Sequence, residues 1–136
     1  MADNIRLVLG KLNKVSEKVV VALTLEATAN LIERTPVDTG WARANWVPSI
    51  GAPKFGPATP SSRDDRKSAA TYQKNNQQAG IASVVTGYRL PRGRVSIANG
   101  VPYIAVLNEG SSKKAPAAFV QASILKAVRT VSLRKF

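Results

Sequence analysis

Among its 136 residues the chain has no cysteine and no histidine. Without Cys there is no disulfide framework, no thiol nucleophile and no thiolate metal site. Without His there is no Ser-His-Asp triad, no imidazole base and no His-ligated zinc or haem. Acid–base chemistry is left to 8 carboxylates, the Lys and Arg residues and 3 tyrosines. Long apolar runs are missing too. The longest is Val19-Val20-Val21-Ala22-Leu23, far below the roughly 20 residues of a membrane-spanning helix. Lys11 and Lys14 interrupt any apolar stretch of a secretory leader, so a role in solution is expected, with no membrane partner. Aromatics make up only 6%, which leaves the core to Val, Leu, Ile and Ala.

What is present suits a single domain with a modest core, since 44% of the residues are apolar. The charge is lopsided. Residues 1–50 hold 6 bases and 5 acids, whereas residues 51–136 hold 14 bases and 3 acids, within a total of +12. A polyanion or an acidic protein partner nearby would balance that excess, as would plain solvent around a basic face.

Residues 3–34 read as one long helix, with Asp3 or Asn4 as its cap and Gly10 as its single weak point. Ile5, Val8, Leu9, Leu12, Val15, Val19, Ala22 and Leu23 share one face. Beyond Leu23 that face turns polar with Glu26, Asn30 and Glu33, and the apolar stripe moves to Val21, Leu25, Thr28, Ala29 and Ile32. The second half is therefore expected to pack on its own domain and the first half, with Ile5, Leu9 and Leu12 as anchors, on another subunit. Thr35-Pro36 stops the helix, because a residue before Pro is pushed out of the α region. In Val37-Asp38-Thr39-Gly40, Asp38 and Thr39 are placed to cap a short turn through Trp41–Asn45.

Strands are expected at Trp46–Ile50 and Val95–Ala98, with Pro48 at an edge or bulge. Residues 51–62, rich in Pro, Gly and Ser, read as a mobile loop. Ser62 followed by Asp65 resembles a capping box opening a polar helix from Arg63 to about Gln78. Ala79–Val85 continues that helix or forms a strand. Asn99-Gly100 signals a turn, and Pro102–Asn108 a short helix. Pro116 opens a last helix with Ala117, Val120, Ile124, Val128 and Val131 on one face.

Asp38-Thr39-Gly40 is also the triplet of aspartic proteases, but a long helix precedes it and no second such loop follows, so a capping turn is the better reading. Asp64-Asp65 could hold Mg²⁺, yet Arg63, Arg66 and Lys67 neutralise the pair more simply at a helix start. Arg89, Arg92, Arg94, Lys113 and Lys114, with Tyr88 and Tyr103, could contact phosphates without reading sequence. Trp41 and Trp46 flank a turn and read as core or interface anchors.

Two segments together resemble a family. One is Thr35-Pro36-Val37-Asp38-Thr39-Gly40-Trp41-Ala42-Arg43-Ala44-Asn45-Trp46. The other is Ile97-Ala98-Asn99-Gly100-Val101-Pro102-Tyr103-Ile104-Ala105-Val106-Leu107-Asn108-Glu109-Gly110-Ser111-Ser112, followed by Ala115-Pro116 and Phe119-Val120. In this order they look like the tail-completion, or neck, proteins of long-tailed bacteriophages, which carry a TPVDTG turn after a long first helix. The clear likeness covers roughly a third of the chain. Lys114 and Ala118 depart from the Gln and Gly that the family often has.

The resemblance implies an α+β fold, with a long N-terminal helix and a C-terminal helix packed on a small, mainly antiparallel sheet. It implies a virion structural protein, made in the host cytoplasm. It also implies a ring, commonly hexameric, between head connector and tail tube or tail terminator. It implies no catalytic residue, cofactor or metal. On that reading Thr35, Pro36, Asp38, Thr39 and Gly40 form a structural turn; Trp41, Trp46, Tyr103 and Phe119 are packing anchors; and Arg43 and Glu109 are an expected ion pair. Arg89, Arg92, Arg94, Lys113 and Lys114 meet a ring partner or passing duplex DNA. The alternative is a small basic nucleic-acid-binding module acting alone.

Overall fold

The computed structural model describes residues 2–111 and 117–136; Lys113 and Lys114 lie outside them. Helix α1 runs unbroken from Ala2 to Arg34, through Gly10, and stops before Pro36. Its 33 residues span about 50 Å at 1.5 Å per residue. Residues 2–16 are all exposed, and burial begins only beyond them. The buried set is Ala22, Thr24, Ala27, Thr28, Asn30 and Leu31.

This corrects the expected inner stripe. Leu25 and Ala29 lie on the exposed side, while Asn30, expected among the polar positions, is buried. The cause is α5 (Phe119–Ser132), the element that α1 packs against most extensively. Asn30 Nδ2 donates to the Ser123 carbonyl at 3.1 Å, and Ser123 Oγ donates to the Phe119 carbonyl at 2.6 Å. Polar side chains satisfied across a helix pair are as buriable as aliphatic ones. A count of hydrophobicity overlooks them.

Helix α5 is corrected in the same way. Its inner face is Phe119, Ser123, Ala127 and Val131. Ile124 and Val128, expected inside, are 46% and 48% exposed. Only Val131 of the expected stripe is fully buried, with Val120 partly so.

The sheet has two antiparallel strands, β1 (Val47–Ile50) and β2 (Val95–Ala98), with Val47 opposite Ala98 and Ile50 opposite Val95. Between them the chain makes α3 (Arg63–Gly87), so residues 79–85 are helical. Ser62 caps α3 as expected: Asp65 N–H donates to Ser62 Oγ at 3.1 Å. Helix α3 lies on β1. Contact is closest at Gly80, where an added Cβ would sit 2.7 Å from the Pro48 carbonyl oxygen. The polar composition of α3 is explained by its inner face, Ala70, Gln73, Gln77 and Val84. That face meets backbone carbonyls as well as side chains.

Short helices α2 (Trp41–Ala44) and α4 (Ile104–Val106) complete the fold, with a wide helical turn at Leu107–Ser111. The 51–62 segment is irregular but tied to the body. Trp41 Nε1 donates to Thr59 Oγ1 at 3.1 Å, and Phe55 lies against Gly100. Two apolar clusters make the core: Leu31, Trp46 and Phe119 in one, Trp41, Ala44, Ala70 and Val101 in the other. No helix of the described residues is long and apolar enough to cross a membrane.

Candidate assembly interface

The turn after α1 is built from hydrogen bonds that local sequence only half announces. Thr35 is fully buried. Its hydroxyl donates to the Leu31 carbonyl and accepts the Trp46 indole N–H at 2.8 Å. Thr39 Oγ1 accepts from Trp41 N–H at 3.2 Å, as expected of a cap. Gly40 takes φ 82, a left-handed conformation that Cβ-bearing residues resist. Asp38 Oδ1 accepts from Arg63 of α3 at 2.9 Å. Both side chains are well exposed, so this pair is worth little in stability. The Asp38 hydrogen bond holds the Arg63 guanidinium above its ordinary pKa.

Arg43 does not pair with Glu109. Its Nε donates to the Thr35 carbonyl at 2.7 Å and its Nη2 to the Glu33 carbonyl at 2.9 Å. These carbonyls end α1, where helical acceptors lack partners, and a rigid guanidinium fork suits them better than a distant carboxylate. Gln77, missed from sequence, donates from Nε2 to the carbonyls of Arg43 and Trp46 at 2.8 and 2.9 Å. Arg43 and Gln77 thus clamp the turn from both sides. Asn108 is another omission. Its Oδ1 accepts from Val120 N–H at 3.0 Å and caps α5, whose own N-cap residue, Ala118, offers no side-chain bond.

The expected anchors divide into two groups. Trp41, Trp46 and Phe119 are buried in the core. Tyr103 packs partly buried beside the Trp41 cluster, and burial raises its phenol pKa. Ile5, Leu9 and Leu12 instead face solvent at 57%, 53% and 56% exposure, together with Leu7 and Val8. That much aliphatic surface uncovered on one helical segment is uncommon on a monomer. A second uncovered apolar strip follows Ile124, Leu125 and Val128 on α5.

The basic set is only partly assembled. Arg89 and Arg92 each donate to nearby carbonyls, of Tyr88 and Gly87, in the bend after α3. Arg94 follows on the exposed approach to β2. Tyr88 is buried, with its hydroxyl on the Gly93 carbonyl at 2.7 Å, so its ring is not offered to a base. Tyr103 belongs to the other end of α3, beside Arg66. Among the described residues of the set, neither tyrosine is interleaved with Arg89, Arg92 and Arg94. Near the base of the projecting α1 segment a groove of about 340 Å³ brings Lys14, Lys18, Arg89 and Arg134 around Val21 and Leu25. Glu17 there accepts from Leu90 N–H at 2.9 Å, and Glu26 pairs with Arg134. Among the described residues no three of His, Cys, Asp and Glu gather as a metal site would require. No family model, curated protein or solved structure matches the chain.

Proposed function

We propose that this chain is a structural virion protein of a tailed bacteriophage, acting in tail completion and head–tail joining. It forms a ring, hexameric in the reading implied by the resemblance, between head connector and tail tube. The observation that carries the assembly role is the first half of α1, which leaves the body with Ile5, Leu7, Val8, Leu9 and Leu12 each more than half exposed. A part that joins two assemblies needs more than one uncovered surface, and the apolar strip on α5 supplies a second, separate from α1. The turn motif adds support: Gly40 is left-handed, and Ala118, standing where the family often has Gly, is left-handed as well. The protein's working place on this reading is the neck of the particle. Electron microscopy of the purified chain, with mass spectrometry of virions, tests it. Rings and presence in the particle are expected; a chain that stays solitary and absent from virions overturns it.

The charge of residues 51–136 favours a second reading, a basic module holding duplex DNA without sequence preference. Binding isotherms across a salt series separate the two. Tight binding by a monomer that weakens steeply with salt would support the module.

A further inference from the structure

The exposed half of α1 carries more than a generic apolar stripe. Ile5, Val8, Leu12, Val15, Val19 and Ala22 are spaced by three and four residues alternately, the a and d positions of a heptad repeat; the first four are exposed, while Val19 is half-buried and Ala22 buried where the helix meets the domain. Leu9 and Leu23 stand at e, beside them. An α-helix drifts about 20° per heptad from such a repeat, so a strict three-four spacing suits a partner helix that winds with it. The next two a positions are Glu26 and Glu33, so the repeat ends where α1 has entered its own domain. The free part, residues 2–16, is about 22 Å long. On it Asn4, Ile5, Val8 and Leu9 line a shallow notch of about 280 Å³. Ile5, Val8 and Leu9, with Leu12 one turn on, have the a-d-e-a arrangement of a hole that receives a partner's knob.

Charge selects the occupant. The g positions hold Lys11 and Lys18, and the e positions Leu9, Ser16 and Leu23, with no carboxylate. A second copy therefore offers no acid to either lysine and brings its own excess of +12. The uncovered strip on α5 is no better suited, since its charged neighbours are Lys126 and Arg129. We infer that the first half of α1 forms a heterotypic coiled coil with a partner protein's helix, one with apolar a and d positions and Glu or Asp opposite Lys11 and Lys18. This deepens the ring reading by giving one face of the ring an acidic helical partner.

The test uses the full chain and two synthetic four-heptad peptides with Ile at a and Leu at d. One has Glu at every e and g position, the other Lys. Binding is read by calorimetry and by added helical signal in circular dichroism. The acidic peptide should bind and the basic one should not, and raising salt should weaken the complex. Leu12→Asp should abolish binding. Leu7→Asp, which alters an equally exposed side chain off the seam, should leave it intact, so a general loss of folding is distinguished. Lys11→Glu with Lys18→Glu should lower affinity for the acidic peptide at least tenfold and confer binding to the basic one. Equal binding of both peptides, or indifference to the lysine reversal, overturns the inference. So does a homo-oligomer that buries the seam and tightens with salt. A ring whose α1 ignores the acidic peptide would sink this inference alone. Acidic-peptide binding by a chain absent from virions would sink the neck reading alone.

Discussion

Thr35 uses both capacities of its hydroxyl, giving its proton to Leu31 and taking one from the Trp46 indole. Thr35→Val keeps the shape and strands a buried indole N–H. Stability should fall by about 1–3 kcal/mol, read by urea unfolding followed through tryptophan emission. Ala118 is the converse case. It holds φ 61 and ψ 32, where a Cβ is strained by about 1–2 kcal/mol. Ala118→Gly relieves that strain but frees the unfolded chain by about 0.4–1 kcal/mol, so a net gain of about 0.5–1 kcal/mol is expected in the same assay. The sequence marks this position, because Ala stands where the resembling family often has Gly. It does not mark Arg43, Gln77 or Asn108, whose partners are carbonyl or N–H groups 8 to 34 residues away.

Two glycines on two helices show how the same substitution changes sign with the element around it. Gly10 lies in the free half of α1, and an added Cβ there meets nothing within 4 Å. Gly10→Ala should raise helicity and slow amide exchange over residues 5–15, a local gain of about 1 kcal/mol. Gly80 lies where α3 crosses β1, and its added Cβ would meet Val47 Cγ1 at 2.9 Å as well as the Pro48 oxygen. Gly80→Ala forces helix and strand apart and should lower the melting temperature, with a loss of about 1–3 kcal/mol. The end of α1, the start of α3 and strand β2 were legible in sequence because a stop or a cap acts within a turn; the start of α1 at Ala2, ahead of the expected caps Asp3 and Asn4, the run of α3 on to Gly87 and the start of α5 at Phe119 were not. The buried faces of α1 and α5 were not. Asn30 and Ser123 read as polar, and only their pairing makes them core residues.

At the scale of the whole molecule, the domain and its projecting arm are separable. Deleting residues 2–16 removes side chains that touch little of the body, so the unfolding free energy should change by no more than about 0.5 kcal/mol. On the proposed neck function, the same deletion should abolish incorporation into particles, measured by complementation of a virus lacking the protein. A large loss of stability would mean that the arm folds back on the domain. The apolar stripe of the arm, Ile5 to Val15, was legible from sequence; where the arm meets the domain was not, because Ala22 on that stripe and Asn30 on its polar continuation are both buried. The basic surface was not, because burial of Tyr88 and the local bonds of Arg89 and Arg92 depend on the bend between α3 and β2.

Chemistry local to the chain sets the stop at Thr35-Pro36, the Ser62 cap, the extent of β2 and the apolar stripe along the first half of α1. Each follows from groups within a few residues of one another along the chain. Which side of each helix is covered, whom Arg43 serves and why a glutamine-rich helix lies against a strand follow from packing between distant segments. Those outcomes depend on donors and acceptors brought together from distant segments, and a buried hydrogen bond has no signature in either partner alone.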